Sequence, residues 1–87
     1  MQFIFDEFKL SNNNLILDDV LNKLRDYFKS HNIKETAIGL FEGKDSDFGY
    51  FTLCVAKLPK ASWFMDYIKE WYWFIDDGYE DVLKSID

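Results

Sequence analysis

Cysteine and histidine are nearly absent from this sequence, which contains one of each, Cys54 and His31. A single cysteine cannot form an internal disulfide, and a Cys/His zinc site needs about four such ligands. Glycine (4 residues) and proline (1 residue) are also scarce, which excludes collagen-like, linker and low-complexity chains. The sequence therefore predicts a fold held together by packing alone, with no metal and no cofactor.

Long apolar runs and a basic start are missing as well. The longest unbroken apolar run is residues 71–75, far short of the ~20 residues that a membrane helix needs. The first residues include neither the basic group nor the long apolar stretch of a secretory signal. We therefore expect a cytoplasmic protein that does not enter membranes.

What the sequence does contain is enough apolar material for a core. Of its 87 residues, 48% are hydrophobic, 20% are aromatic and 30% are charged. This composition excludes a disordered chain, and the length permits one domain. We expect residues 1–87 to form a single acidic domain.

The net charge of −6 is concentrated at one end of the chain. Residues 1–62 carry nine acids and eight bases, whereas residues 63–87 carry seven acids and two bases. Nucleic acids and anionic membranes attract Lys and Arg, so both are disfavoured as direct partners. The partner that this charge favours is a basic protein.

Hydrophobic periodicity predicts the element order β-α-β-β-α, followed by a short terminal helix. The clearest signal is the helical stripe that runs from Leu17 to Phe28, with Asn32 as the residue that ends the helix. The predicted elements are a strand at 2–10, a helix from residue 15 or 18 to 31, strands at 36–42 and 48–58, a helix at 63–75 and a short helix at 79–86.

These elements predict an α+β fold with a three-stranded antiparallel sheet. The strand order would be 1-3-2, because the crossover through the first helix is right-handed, and both main helices would cover one sheet face. The other face would then be flat and apolar. Its side chains would be those of Ala37, Gly39, Phe41, Tyr50, Thr52, Cys54 and Ala56.

The residues that carry reactive groups have simpler structural explanations. Cys54 lies in an apolar segment and His31 lies where a helix should end, so we assign structural roles to both. Segment 45–49 departs from calcium-loop spacing because its glycine falls one position early, and it predicts an ordinary turn. We therefore predict a non-enzymatic protein with no catalytic residue and no metal site.

The segment predicted as a helix at 63–75 carries the most unusual pattern. Behind its core stripe, a second face combines tryptophan and tyrosine with acidic residues. Because these aromatic residues are most valuable when buried, the face is typical of a protein interface, although packing beneath the third helix is the alternative. The predicted partner-binding residues are Trp63, Asp66, Glu70, Tyr72, Trp73, Asp76, Asp77, Glu80 and Asp81.

Two function classes follow from these two surfaces. The first is a small acidic inhibitor, similar in size and acidity to bacterial immunity proteins and phage anti-defence proteins, that binds a basic partner such as a nuclease. If residues 63–87 were helical throughout, their net charge per unit length would be roughly a quarter of that of duplex DNA. This low charge density argues against complete mimicry of a nucleic acid. The second class is a homodimeric adaptor that associates through the flat sheet face. The abundance of Asn, Lys, Asp, Ile and Phe indicates an AT-rich bacterial or phage genome.

Overall fold

One five-stranded antiparallel sheet organises the molecule, and the computed structural model describes residues 1–75 and 78–86. The order across the sheet is β2-β3-β1-β4-β5. The strands are β1 (Gln2–Phe5), β2 (Lys34–Ala37), β3 (Leu40–Glu42), β4 (Ile68–Ile75) and β5 (Gly78–Asp81). The helices are α1 (Glu7–Asn12), α2 (Leu17–Lys29), α3 (Phe48–Lys57), α4 (Ser62–Met65) and α5 (Val82–Ser85).

The prediction of an α+β fold with an antiparallel sheet is confirmed, whereas the three-stranded sheet of order 1-3-2 is wrong. Segment 48–58, predicted as a strand, forms α3 and the start of a 3₁₀ turn. Segment 68–75, predicted as part of a helix, is the long strand β4. The end of the first predicted strand belongs to α1, and the terminal helix is preceded by β5.

Both misassigned segments contain apolar residues that satisfy two periodicities. In the first segment the buried residues are Phe51, Cys54 and Leu58, which recur at helical spacing. In the second segment the buried residues are Trp71 and Trp73, which recur at the two-residue spacing of a strand. Trp71 is fully buried in the core, which it reaches from the strand β4.

Helix α2 agrees with its prediction in position and in its buried face. Its buried residues are Val20, Leu21, Leu24 and Phe28. Asn32 ends the helix in a left-handed conformation (φ +56°), and the Ile33 N–H donates to the Phe28 carbonyl at 3.3 Å. Asparagine tolerates this conformation, so it can reverse the chain direction and let Ile33 pack into the core.

Phe3 lies at the centre of an aromatic core on one face of the sheet. Its ring centroid lies between 5.6 and 6.1 Å from those of Phe28, Phe41, Phe64 and Trp71. These partners come from α2, β3, α4 and β4, so one side chain of the central strand links four elements. Fully buried aromatic pairs of this kind contribute about 0.5–1.5 kcal/mol each beyond their buried area.

A polar network fixes the turn between β2 and β3 against the same strand. Gly39 has φ +74°, and a Cβ at this position would lie 2.4 Å from the carbonyl oxygen of Phe3. The Glu35 carboxylate accepts hydrogen bonds from the Gly39 N–H at 2.8 Å and from Arg25 Nε at 2.7 Å. The Phe3 N–H in turn donates to the Gly39 carbonyl at 2.8 Å, which connects α2, the turn and β1.

We expect Gly39→Ala to lower the free energy of unfolding by about 3 kcal/mol, because the left-handed conformation and the Phe3 carbonyl both oppose a Cβ. Gly49→Ala is the matched control. A Cβ on Gly49 meets nothing within 4 Å, and alanine in α3 should raise stability by about 0.5–1 kcal/mol. Urea denaturation checks both values. Equal stability of the two variants would contradict the close approach at Gly39.

The Glu35 carboxylate should make stability depend on acid pH. Burial acts to raise the pKa of Glu35, but the hydrogen bonds from Arg25 and Gly39 and the Arg25 charge lower it below its usual range. A carboxyl whose pKa is lower in the folded state stabilises the protein above its unfolded pKa, and this contribution disappears as the pH falls through the folded pKa. We expect wild type to lose more stability than Glu35→Gln between about pH 6 and about pH 3. If the free energies of unfolding of wild type and Glu35→Gln fell in parallel with pH in urea denaturation, the ion pair between Glu35 and Arg25 would contribute nothing to stability.

Candidate binding face of the sheet

The sheet face that points away from the helices is not covered by the described residues. Side chains alternate along a strand, so the pairs Gln2–Tyr72 and Ile4–Glu70 point away from the core that Phe3 occupies. We call this surface the open face. It consists of Gln2, Ile4, Lys34, Leu40, Glu42, Glu70, Tyr72, Phe74, Tyr79 and Asp81.

Three aromatic side chains form a patch on the β4–β5 side of the open face, and we call them the aromatic triad. Tyr72 lies 6.5 Å from Phe74 and 5.6 Å from Tyr79, and Phe74 lies 6.2 Å from Tyr79 between ring centroids. Phe74 and Tyr79 are directly opposite each other on β4 and β5. Their exposed fractions are 51% and 68%, so the triad offers a contiguous apolar surface that its own cross-strand contacts hold in place.

Carboxylates lie beside the aromatic triad. The Tyr72 hydroxyl donates to Glu70 Oε1 at 2.6 Å. This hydrogen bond, with smaller contributions from desolvation and from the Glu70 charge, raises the pKa of Tyr72 to about 12. Asp81 is opposite Tyr72 on β5, and its carboxylate also caps α5 through the Lys84 N–H at 3.4 Å. The hydroxyl therefore stays protonated and orients Glu70, whose carboxylate has no ion pair among the described residues. The Asp81 carboxylate lies 4.0 Å from Lys84 Nζ, so part of its charge is already balanced.

The structure brings together only part of the predicted partner-binding set. Glu70, Tyr72 and Asp81 share the open face. Trp73 is buried on the opposite face, where its ring lies 5.0 Å from Phe48 and 6.2 Å from Phe51, so it does not share the open face with those three residues. Its neighbour in the β4–β5 ladder, Glu80, lies on that side as well and is exposed.

The remaining predicted residues do not join the open face. Trp63 is half-buried on α4, in edge contact with Phe64 at 5.8 Å and with Lys23 Nζ 5.3 Å from its ring centroid. Asp66 is exposed in the turn after α4. Asp76 and Asp77 lie outside the described residues. The sequence analysis grouped these side chains by helical spacing. That grouping is wrong because alternate side chains of the strand β4 point to opposite faces of the sheet.

Of the flat face predicted for the alternative function, Ala37 pairs with Leu40 of the open face, whereas most of the other residues lie elsewhere. Phe41 and Cys54 are buried in the core, whereas Tyr50, Thr52 and Ala56 lie on α3. The open face does exist, but its aromatic side chains Phe74 and Tyr79 were missed. The signal that could have revealed them is the two-residue alternation of 71–75, in which tryptophan alternates with tyrosine and phenylalanine.

Reactive and charged groups elsewhere have ordinary surroundings in the described part of the chain. Burial raises the pKa of the Cys54 thiol to about 11, so at neutral pH it is protonated and a poor nucleophile. His31 stacks on Tyr50 with ring centroids 3.5 Å apart. Within residues 1–75 and 78–86, no three His, Cys, Asp or Glu side chains are grouped as a metal site. No described helix is both long and apolar enough to cross a membrane.

The chemistry of the open face suits contact with protein side chains. Sheets that bind RNA also expose aromatic side chains, but they combine them with Lys and Arg that neutralise phosphates. The aromatic triad has carboxylates from Glu70 and Asp81 beside it instead. Such a surface offers apolar contact area at its centre and attracts cations at its margin.

Comparison with protein-family models, with curated proteins and with solved structures finds no match to this chain. The interpretation of the open face therefore depends on its geometry and charge.

Proposed function

We propose that this protein is a non-enzymatic inhibitor that binds a basic protein through the open face. The observation that carries the proposal is the aromatic triad, exposed on an uncovered sheet and flanked by Glu70 and Asp81. The net charge of −6 adds a long-range attraction for the same partner. The fixed aromatic surface would supply the apolar contact area that the long-range charge attraction does not provide.

The aromatic and acidic side chains would contribute in different ways. Phe74 and Tyr79 are rigid side chains with exposed rings, and burying such anchors at an interface is worth about 2 kcal/mol or more each. Glu70 and Asp81 would pair with Lys or Arg at the margin and accelerate encounter more than they slow dissociation. Removing an aromatic ring should therefore raise the dissociation rate, and removing a carboxylate should lower the association rate.

A nucleic-acid-handling partner is the class that best fits this surface. Proteins that hold DNA or RNA concentrate Lys and Arg on one face or in one groove. A carboxylate-flanked patch can occupy that groove and exclude the phosphate backbone. Inhibition would follow from competition for the same cations, with no chemical step by the inhibitor.

Self-association is the second candidate, because Phe74 and Tyr79 are exposed on a face large enough to meet a copy of itself. A symmetric dimer places the same patch on both sides of the interface. If the two-fold axis passed through the aromatic triad, the Glu70 and Asp81 carboxylates of the two copies would lie close together, and like charges that are close together are destabilising. Charge therefore favours a basic partner over a second copy.

The proposal predicts which variants lose the partner when the protein is used as bait in lysate of its host. Tyr79→Ala removes an exposed ring of the triad, and Glu70→Gln removes a charge while it keeps an acceptor for the Tyr72 hydroxyl. We expect both to reduce retention of a basic protein by about tenfold or more. Phe8→Ala and Glu7→Gln, which change an exposed ring and an exposed acid on α1, are the matched controls and should bind like wild type.

Kinetics with the purified partner then separate the possible surfaces. The wild-type association rate should fall with added salt, Glu70→Gln should associate more slowly, and Tyr79→Ala should dissociate faster. Unchanged kinetics for both variants would place the interface elsewhere. Recovery of this chain alone, together with a mass in sedimentation that doubles with concentration, would support the dimer instead.

A further inference from the structure

The sheet ends in two edge strands, β2 and β5, and the two edges present different side chains. On β5, Tyr79 and Glu80 are exposed and Asp81 is half-buried. The Glu80 carboxylate has no ion pair among the described residues, whereas Lys84 Nζ, 4.0 Å away, balances part of the Asp81 charge. The edge of β5 therefore combines an exposed aromatic ring with a net negative charge.

The edge of β2 differs in both respects. None of its four residues is aromatic. The Glu35 carboxylate accepts hydrogen bonds from Arg25 and from the Gly39 N–H, so it is already engaged within the protein. The charge that β2 leaves exposed is the ammonium group of Lys34. Because like charges repel, a basic chain that approaches the sheet is attracted to the edge of β5 and not to that of β2.

The direction of the backbone groups of β4 follows from the alternation of an antiparallel sheet, in which successive residues turn their N–H and C=O to opposite neighbours. The Phe3 N–H donates to the Gly39 carbonyl on the side of β3, so the groups of Gln2 face β4 and pair with Tyr72. The groups of Tyr72 therefore face β1. Those of the next residue, Trp73, face β5.

The same alternation leaves β5 with backbone groups that point away from the sheet. Glu80 is opposite Trp73, so its N–H and C=O face β4, whereas those of Tyr79 and Asp81 face outward. The Asp81 carbonyl accepts a hydrogen bond from the Ser85 hydroxyl at 3.2 Å. Within the part of the chain that the structure describes, no group bonds to the N–H or C=O of Tyr79 or to the N–H of Asp81.

We propose that an extended, basic segment of the partner adds to the edge of β5 as a sixth strand, antiparallel to β5. Strand addition of this kind supplies main-chain hydrogen bonds, while alternate side chains supply selectivity. The added strand would also lengthen the open face beside Tyr79, so the main chain and the aromatic triad would contact the partner together. A second copy of this chain would bring the same acids to the edge, which opposes pairing of β5 with itself. This inference rests on the proposed function for the basic character of the partner.

The side chains of β5 define the pattern of the added strand. One residue of that strand would exchange both hydrogen bonds with Tyr79 and point its side chain to the open face beside the Tyr79 ring, which favours an apolar residue. The next residue would point to the other face, beside Glu80, which favours Lys or Arg. The segment therefore alternates apolar and basic residues, and its apolar residues carry the N–H groups that face β5.

The test uses the isotope-labelled protein and a synthetic peptide of about six residues with blocked ends that alternates Val and Arg. Near saturation with this peptide, amide hydrogen exchange of Tyr79 and Asp81 should slow by about tenfold, because both N–H groups become donors to the added strand. The amides of β2, at the other edge, should exchange as they do in the free protein. A peptide that alternates Val and Glu should bind at least about tenfold more weakly.

N-methylated peptides separate main-chain pairing from attraction between charges. Methylation of every Val nitrogen removes the donors that face β5, so the protection should be lost. Methylation of every Arg nitrogen is the matched control, because those groups point away from β5 and the protection should remain. Both peptides carry the same charge and the same side chains, so only the direction of the lost donors differs.

Two variants of the protein test the acidic side chain of the edge. Glu80→Gln should weaken binding of the Val/Arg peptide by about threefold, because it removes the carboxylate beside an Arg of the added strand. Glu7→Gln is the matched control, since Glu7 is an exposed acid on α1. Both variants remove one negative charge, so a difference between them measures the local contact. Both change exposed side chains and should leave the fold intact.

Three results would each overturn strand addition. They are unchanged exchange of Tyr79 and Asp81 at about 1 mM Val/Arg peptide, equal protection by the two N-methylated peptides, and equal affinity of Glu80→Gln and Glu7→Gln for the Val/Arg peptide.

The proposed function fails separately. Phe74 lies on β4, one strand away from the added peptide, so Phe74→Ala should leave peptide affinity within about twofold but reduce retention of the partner. Loss of the partner with Phe74→Ala, together with absence of peptide binding, would support the open face and reject strand addition. Peptide protection of Tyr79 and Asp81, together with unchanged retention of the partner by Phe74→Ala, would support strand addition and reject the open face.

Discussion

The fold depends on the four-residue strand β1, because both the aromatic core and the polar network are attached to it. The Phe3 ring contacts four aromatic side chains from four elements, and the Phe3 main chain holds the Gly39 turn. The packing around it is dense enough to leave Trp71 Nε1 buried without a hydrogen-bond partner among the described residues. An unsatisfied indole N–H costs about 1–3 kcal/mol, which the aromatic contacts and buried area of the same side chain offset.

The open face follows from how few residues are left to cover the sheet. The core-facing contacts of the sheet come from α2, α3 and α4 through Phe28, Phe51 and Phe64. The two longest helices, α2 and α3, both pack on that one face. A single hydrophobic face is sufficient for a small α+β domain, so the second face can keep its aromatic residues exposed.

Sequence reasoning predicted the features that short-range signals specify. It failed where the apolar pattern fitted both a helix and a strand. Helix α2 and its end at Asn32 were predictable because the stripe and the left-handed residue are short-range signals. The strand β4 was not, because aromatic residues in 63–75 fit helical and alternating patterns equally and only their pairing with β1 decides between them. Glu70, Tyr72 and Asp81, which the acidic and aromatic bias of the C-terminal region singled out, lie on one sheet face. Trp73 was misplaced, since one wrong period moves a side chain to the opposite face.

The two edge strands of the sheet, β2 and β5, have a consequence for aggregation. Exposed strand edges invite pairing with other sheets, and β2 and β5 limit this by being four residues long and carrying charges such as Lys34 and Glu80. Each edge therefore offers only a few backbone groups to another sheet. The sheet can keep one face open without presenting a long edge along which copies of the chain could pair.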